Sequence, residues 1–286
     1  MIFLKKNLLK KVLFLNISFI LISCSFGAGK WDSIEEDLKI AKQKENAKVI
    51  FSTKKKLDLE INGKAKTNVK KSLLNKNWQE QNFSSSNLIP HLEYKNKKEL
   101  IFKSKKIGKN KFDMKNLDFE PLVENNTIFF YDTHGTIFSY GLKNKNINWK
   151  YNFYKKRFRG SPKDLNISIQ NENLIVSDNF GYIYNLNKNN GKIKWAKNYN
   201  VPFKSNIKID NDNIFLINQD NKFYIISAKT GKQILDLETF PSLLKTNSKT
   251  NVSVDKIKKN VYFVTSSAEI YSLNYKNRNI NWLFSL

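Results

Sequence analysis

The sequence predicts an all-β fold, a β-propeller built from four-stranded blades. The main observation is a repeat that begins near residue 120, in which Asp132-Thr133-His134-Gly135 aligns without a gap with Asp178-Asn179-Phe180-Gly181. Trp149 and Trp195 each stand fourteen positions after the glycine of their unit. Repeats of roughly 40 to 50 residues that contain several short strands are typical of propeller blades. We therefore expect one blade for each unit.

Two further units follow with similar spacing. In the third, Asn218 to Asn221 replaces the turn and Leu235 stands at the tryptophan position; in the fourth, Thr265 to Ala268 replaces the turn and Trp282 closes the unit. The turn positions are 46, 40 and 47 residues apart at Gly135, Gly181, Asn221 and Ala268. The sequence thus contains about four clear units. A large ring at the end of an outer strand is expected to pack between neighbouring sheets, so we assign the tryptophans to the core.

Each unit consists of short β-like segments separated by polar turns. The first contains Thr127 to Tyr131, Thr136 to Tyr140 and Asn146 to Trp149, and the second repeats the pattern with alternating apolar and polar residues. Gly181 and Gly191 stand where tight hairpins need a positive φ. A fourth, inner strand is expected upstream in each unit, at Phe119 to Val123, Asn166 to Ile169, Asn206 to Ile209 and Asn251 to Val254.

Upstream of the repeat the pattern is weaker. Leu100-Ile101-Phe102 is predicted to be the outer strand of one degenerate blade, and residues 51–286 are assigned to the propeller. A short helix is expected within residues 33–47, because Ser33 and Glu36 have the spacing of a capping box.

The N-terminus has the pattern of an export signal. Basic residues precede an apolar run from Val12 to Ile22, which is too short to span a bilayer as a permanent helix. Leu21-Ile22-Ser23-Cys24 resembles the bacterial lipobox, which implies that residues 1–23 are a signal peptide and that Cys24 is acylated, with palmitate among its chains. Residues 24–50 would be anchor, linker and helix. The residue after the cysteine is Ser25 rather than Asp, which in bacterial lipoproteins implies sorting to the outer membrane, on its periplasmic face. The alternative is an uncleaved anchor with an incidental cysteine.

Composition excludes several classes of protein. With 286 residues, 40% of them hydrophobic, the chain can bury a large core. A net charge of +25 is typical of nucleic-acid-binding proteins, but export makes that partner unexpected, and the lysines are scattered rather than clustered. Cys24 is the sole cysteine, so no disulfide and, once it is acylated, no thiolate nucleophile is expected.

These motifs resemble the pyrroloquinoline-quinone-like propeller repeat, whose blades end in a Thr-Gly or Asn-Gly turn and an aliphatic-x-Trp strand. Here the turns are Thr230-Gly231 and Asn190-Gly191, the latter followed by Ile193-Lys194-Trp195. Together with the lipobox, the pattern resembles the BamB family of outer-membrane protein assembly lipoproteins over residues 1–24 and about 90–286. Trp78-Gln79-Glu80-Gln81 is similar to a tryptophan-containing entry segment of that family.

The resemblance implies a non-catalytic scaffold that binds the outer-membrane barrel insertase, with unfolded outer-membrane proteins as further clients. It implies no cofactor and no metal. It also implies eight blades, which is more than this sequence provides. We therefore expect either a fragment of a larger ring or a smaller ring. A smaller ring is expected to be closed, since open sheet edges favour aggregation.

One loop is predicted to contact the partner. Arg157-Phe158-Arg159-Gly160 lies between the first two units and is similar to the arginine-containing loop by which BamB proteins contact the barrel protein, although the spacing to Pro162 is two residues shorter. An arginine beside an exposed aromatic ring suits an interface anchor. The alternative is an ordinary solvated loop, because basic loops are common in this chain.

Two other functions are kept as alternatives. Quinone-dependent dehydrogenases share the blade pattern, but they commonly have a disulfide of adjacent cysteines and need a metal bound by carboxylates; this sequence has no such cysteines and no acidic cluster at ligand spacing. His91 and His134 lie in different units. An envelope protein that binds polysaccharide or an anionic polymer would account for the positive charge. We expect no enzymatic activity.

Overall fold

The computed structural model describes residues 68–94, 100, 102–109, 120–154, 158, 160–240 and 249–285. In this part of the chain all regular secondary structure is β, which confirms the predicted fold class. Among these residues no helix is long and apolar enough to cross a membrane. The predicted signal peptide, Cys24 and the predicted helix within residues 33–47 lie outside the described residues.

The strands of the described residues form four antiparallel sheets, which we number as blades 1 to 4. Blades 1 and 2 contain β1 (Leu122–Glu124), β2 (Thr127–Tyr131), β3 (Thr136–Gly141) and β4 (Asn146–Asn152), then β5 (Leu165–Gln170), β6 (Asn173–Asp178), β7 (Tyr182–Asn187) and β8 (Ile193–Asn198). Blades 3 and 4 contain β9 (Lys208–Asp210), β10 (Asn213–Ile217), β11 (Phe223–Ser227) and β12 (Gln233–Leu237), then β13 (Val252–Asp255), β14 (Asn260–Val264), β15 (Glu269–Asn274) and β16 (Asn279–Ser285).

Every blade is a simple meander in which each strand pairs with the next one along the chain. The first strands of successive blades lie beside one another, β1 near β5, β5 near β9 and β9 near β13. The fourth strands are the most exposed, and β16 is exposed along its whole length. The blades are therefore arranged around their first strands, as in a propeller.

The hairpin between the second and third strands is closed by a polar side chain. In blade 2, Asp178 Oδ1 accepts hydrogen bonds from the amides of Phe180 (2.9 Å) and Tyr182 (2.8 Å). Asp132 and Asn218 have the same role in blades 1 and 3. Such side chains stabilise turns by binding the backbone that follows them. The repeated Asp-x-x-Gly pattern is therefore explained by turn geometry.

The predicted positive φ is also found at these turns. Gly181 has a φ of 87°, and a Cβ at this position would lie 2.8 Å from the amide nitrogen of Val201. Asn221 and Ala268 occupy the equivalent positions with φ values of 63° and 61°. Glycine is thus required at Gly181, where the backbone of the following linker approaches closely, whereas other residues are tolerated at the equivalent turns of blades 3 and 4.

Three apolar clusters fill the spaces between blades 1 and 2, 2 and 3, and 3 and 4. Trp149 is buried in the first cluster and Trp195 packs against the second, as predicted. The prediction is wrong for Trp282, whose side chain is 47% exposed, because no described residues cover that face of blade 4. Ile280 and Phe284 are exposed beside it.

The predicted degenerate blade is not formed by the described residues. Leu100 and residues 102–109 contain no strand, and the lysine-rich sequence after Phe102 lacks the alternation that a half-buried strand needs. Phe102 instead stacks on Tyr140 of blade 1, with ring centroids 6.1 Å apart, and Lys145 lies 5.5 Å from its ring. Tyr140 and Lys145 correspond to Leu186 and Gly191 of blade 2 in the repeat, so Phe102 covers blade 1 much as Trp149 covers blade 2.

Candidate partner-binding loop

The loop between blades 1 and 2, residues 153–164, is anchored at its start by Tyr154. The Tyr154 side chain is buried, and its hydroxyl donates a hydrogen bond to Asp178 Oδ2 at 2.6 Å. Tyr184 donates to the same oxygen at 3.3 Å. A Cβ on Gly135 would overlap the Tyr154 ring, so the glycine of the blade 1 hairpin is needed for this packing. The start of the loop is therefore fixed to both blades.

Burial governs the protonation of this network. Burial raises the pKa of the Asp178 carboxyl, although its hydrogen bonds from Tyr154, Tyr182, Phe180 and Tyr184 oppose the shift. Burial and the nearby Asp178 raise the pKa of both tyrosine hydroxyls above their ordinary value. The side chains of Asp178, Tyr154 and Tyr184 are buried and are hydrogen-bonded to one another, which suits a structural role. Asp132 and Asp178 thus close turns, as their positions in the repeat predict.

Lys163 holds the end of the loop. Its side chain is almost fully buried, and Nζ donates hydrogen bonds to the carbonyl oxygens of Phe158 and of Ser161, the latter at 2.6 Å. Nζ also lies 5.4 Å from the centre of the Tyr154 ring. Burial lowers the pKa of this ammonium, and Asp132 opposes the shift. The backbone of the loop therefore turns around a buried lysine, which the sequence alone gave no reason to place inside.

Phe158 is partly buried rather than fully exposed. Its ring stacks on Phe180 with centroids 4.1 Å apart and packs against the cluster between blades 1 and 2. Its φ of 63° places the backbone in the left-handed region. Arg157 and Arg159 lie outside the described residues. The ring thus attaches the loop to the hairpin of blade 2. Partner binding by Arg157 and Arg159 stays a prediction.

Polar contacts fix the residues that follow. Asn179 of the blade 2 hairpin accepts a hydrogen bond from the Asp164 amide (3.1 Å) and donates one to the Pro162 carbonyl (3.2 Å). The Asp164 carboxylate forms an ion pair with Lys249, at 3.2 Å, from the linker between blades 3 and 4. Both ends of the loop are therefore held by described contacts, Tyr154 at its start and Lys163 and Asp164 at its end.

A second candidate surface lies on the outer side of blade 1. A cavity of about 610 Å³ has Phe138, Ile147 and Tyr151 among its lining residues, with Lys106, Lys109 and Lys150 around them. Sequence reasoning missed it, because the lysines come from segments far apart in the chain. The described residues include no group of three or more metal-ligating side chains. His91 and His134, separate in the sequence, are in different regions of the fold: His91 contacts the backbone of Lys70 and His134 lies at the cavity.

Capped hairpins, outer-strand tryptophans and glycine turns repeated over successive blades are similar to the pyrroloquinoline-quinone-type propeller repeat. Residues 149–283 match the family model described as outer membrane protein assembly factor BamB. The chain is therefore BamB-like over blades 2 to 4 and the last strand of blade 1. A search of the curated proteins finds no match.

Several solved structures are similar in fold. BamB from Moraxella catarrhalis is 13% identical with a TM-score of 0.47, over 59% of this chain and 48% of that one. Quinohemoprotein alcohol dehydrogenase from Comamonas testosteroni is 13% identical with a TM-score of 0.48, over 58% and 34%. A europium-containing methanol dehydrogenase is 12% identical with a TM-score of 0.48, over 58% and 41%. The match covers less than half of each of these structures.

Proposed function

We propose that the protein is a non-catalytic scaffold lipoprotein of outer-membrane β-barrel protein assembly, which binds the barrel insertase through its propeller loops. The observation that carries the proposal is the match of residues 149–283 to the BamB family model. The lipobox-like sequence at Cys24 supports an acyl anchor in the outer membrane, with the propeller in the periplasm. Unfolded barrel proteins are further clients under this proposal.

The loop between blades 1 and 2 is the proposed contact. Tyr154 and Lys163 fix its two ends through buried hydrogen bonds. Fixed ends reduce the conformational entropy that a loop loses when it binds, which favours affinity. Arg157 and Arg159 are adjacent in sequence to the anchored Phe158, and arginine is enriched among the residues that dominate binding energy.

The cavity on blade 1 favours one alternative, a protein that binds an envelope polysaccharide or anionic polymer. Lysines around an apolar floor attract an anion without the fixed geometry of arginine. Such binding would fall steeply as salt is raised and would not depend on Arg159. The dehydrogenase alternative would instead require stabilisation by a quinone or a metal.

Crosslinked pull-down from detergent-solubilised envelopes tests the scaffold proposal. We compare the wild type with Arg159→Glu and with a matched charge reversal, Lys143→Glu, in the exposed turn at the opposite end of blade 1. The wild type and Lys143→Glu should recover the barrel insertase, and Arg159→Glu should lose it. Recovery by all three proteins would remove the loop from the proposal. Recovery by none would reject the scaffold role.

The anchor has its own test. Cells labelled with radioactive palmitate should incorporate label into the wild-type protein and not into Cys24→Ala. Label that persists in Cys24→Ala would contradict acylation at this cysteine.

A further inference from the structure

Residues 78–88 run along the first strands of all four blades. In blade 1, Trp78 exchanges two backbone hydrogen bonds with Val123 of β1, at 2.6 and 2.8 Å. In blade 2, the Ile169 amide of β5 donates to the Gln79 carbonyl at 2.8 Å. These bonds use the edges of β1 and β5 that do not pair with β2 and β6. The segment therefore binds the strand edges that face the centre of the array.

The segment continues across blades 3 and 4. In blade 3, Lys208 Nζ of β9 donates to the carbonyl oxygens of Gln81 (2.7 Å) and Ser84 (2.6 Å). In blade 4, the Val254 amide of β13 donates to the Ser85 carbonyl at 2.7 Å. Asn87 Nδ2 donates to the carbonyl of Val252 at 2.9 Å. Each blade thus contributes at least one hydrogen bond to the same short segment.

Lys208 is the most buried charge in this contact. Its side chain is fully buried, and Glu80 lies 3.4 Å from Nζ as its ion-pair partner. Glu80 also pairs with Lys256 of blade 4 at 3.6 Å. A buried charge is tolerated only when it is paired and hydrogen-bonded. The ammonium of Lys208 is thus bound by Glu80 and by the carbonyl oxygens of Gln81 and Ser84, all three from the segment, so its place inside the fold depends on the segment.

We propose that residues 78–88 form an axial strap, an intramolecular ligand that binds the first strands of the four blades as one unit and closes the centre of the array. Edge strands left unpaired are open to pairing with other chains, and the strap occupies backbone groups on the inner edges of blades 1, 2 and 4. A cofactor or an extended peptide that binds along the inner edges would have to displace the strap. The blades remain folded when it detaches, because their own pairing does not involve it.

Hydrogen exchange on the full chain tests the strap. Lys208→Met removes the buried ammonium but keeps most of the side-chain volume, and Glu80→Gln is a milder variant that weakens only the ion pair. Lys222→Met is the control, since Lys222 is in the same blade and pairs with Glu238 on the outer surface. Exchange is measured at the Ile169 and Val254 amides, which bind the strap, and at amides of the central strands β6 and β10.

In Lys208→Met, we expect the Ile169 and Val254 amides to exchange on the order of tenfold faster or more, although both lie outside the mutated strand. Glu80→Gln should give a smaller change at the same amides, and Lys222→Met none. The amides of β6 and β10 should keep their rates. Unchanged exchange at Ile169 and Val254 would overturn the proposal. Equal acceleration at all amides in both strap variants would also overturn it, since the strap would then not open separately from the blades.

Discussion

The interfaces between successive blades are built in two ways. Between blades 1 and 2, the Trp149 ring lies on Gly191, where a Cβ would come within 2.5 Å of it, and its Nε1 donates to the Lys188 carbonyl at 2.8 Å. Between blades 2 and 3, Trp195 has the same relation to Gly231 and to the Ala228 carbonyl, also at 2.8 Å. A tryptophan on one blade is thus matched with a glycine turn on the next.

Between blades 3 and 4 both members of the pair are replaced. Leu235 stands at the tryptophan position, and Arg278, with a φ of 63°, stands at the glycine position. Tyr275, at the position of Lys188 and Ala228, is buried there, and its hydroxyl donates to Asp210 at 2.7 Å. The aromatic ring is therefore supplied by the following blade. The comparison indicates that the tryptophan and the glycine form one unit. Where a side chain stands at the turn, at Lys145 and Arg278, the preceding position is not a tryptophan but Phe102 or Leu235.

Trp149→Ala should have the largest effect on this comparison. It removes a buried ring and leaves a cavity beside Gly191, so the free energy of unfolding should fall by about 3–5 kcal/mol. Trp282→Ala is the matched control, because the Trp282 ring is 47% exposed, and should cost about 1 kcal/mol or less. Denaturant unfolding measures both. Equal losses of unfolding free energy in the two variants would show that the interface between blades 1 and 2 does not depend on Trp149.

Gly191→Ala should have the second largest effect. The new Cβ would meet the Trp149 ring at 2.5 Å in a backbone with a φ of 69°, and we expect a loss of about 2–3 kcal/mol. Arg278→Ala, at the equivalent turn of blade 4, should change stability by about 0.5 kcal/mol or less. In a double-mutant cycle with Trp149→Leu, the cost of Gly191→Ala should shrink, since the smaller side chain leaves room. An unchanged cost would separate the glycine from the ring.

Tyr199→Phe should have the smallest effect, and only at alkaline pH. The Tyr199 hydroxyl donates to the Gly231 carbonyl at 3.4 Å, and burial raises the pKa of Tyr199 to about 12. The folded-state pKa exceeds the unfolded value of about 10, so this group's stabilisation is complete below pH 10 and is lost as pH rises towards 12. The difference in unfolding free energy between Tyr199→Phe and wild type should therefore change by about 1 kcal/mol in favour of the variant between pH 7 and pH 11.5. The full pKa shift would give a larger change, but Tyr199 is partly exposed, which reduces it.

Thermal unfolding of wild type and Tyr199→Phe at pH 7 and pH 11.5 measures this difference. The absorbance of tyrosinate, followed over the same range, reports when the buried rings ionise. A stability difference that does not change with pH would show that Tyr199 ionises as easily in the folded interface as in the unfolded chain.

The repeat pattern was sufficient to predict the blades. Turn residues such as Asp178 and Gly181 act through local backbone geometry, which the sequence displays directly, and Trp149 marks the end of an outer strand by its spacing. The predicted bounds of the inner strands are less accurate: the first prediction includes Glu120 and Pro121, whereas β1 is Leu122–Glu124. Inner strands are short and buried on both faces, so they lack the alternation that marks a strand.

The strap and the buried lysines could not be predicted in the same way. Lys163 and Lys208 are two of many lysines in a basic chain, and nothing local distinguishes a lysine that binds buried carbonyls from one on a solvated surface. Trp78-Gln79-Glu80-Gln81 has no periodic pattern, because each of its contacts is with a different blade. Long-range contacts of this kind depend on the assembled fold. The partial burial of Phe158 was missed for the same reason, since Phe180 lies in another unit.

The strap also has a consequence for the order in which the chain folds. Its contacts span increasing lengths of chain, from 45 residues between Gln79 and Glu124, through 127 between Gln81 and Lys208, to 169 between Asn82 and Asn251. Hairpins within a blade can form locally and early, whereas contacts of high sequence separation form slowly. Residues 78–88 are synthesised before the four described blades, yet they can reach their final place only after blade 4 exists. Until then they, and the inner strand edges, are available to chaperones.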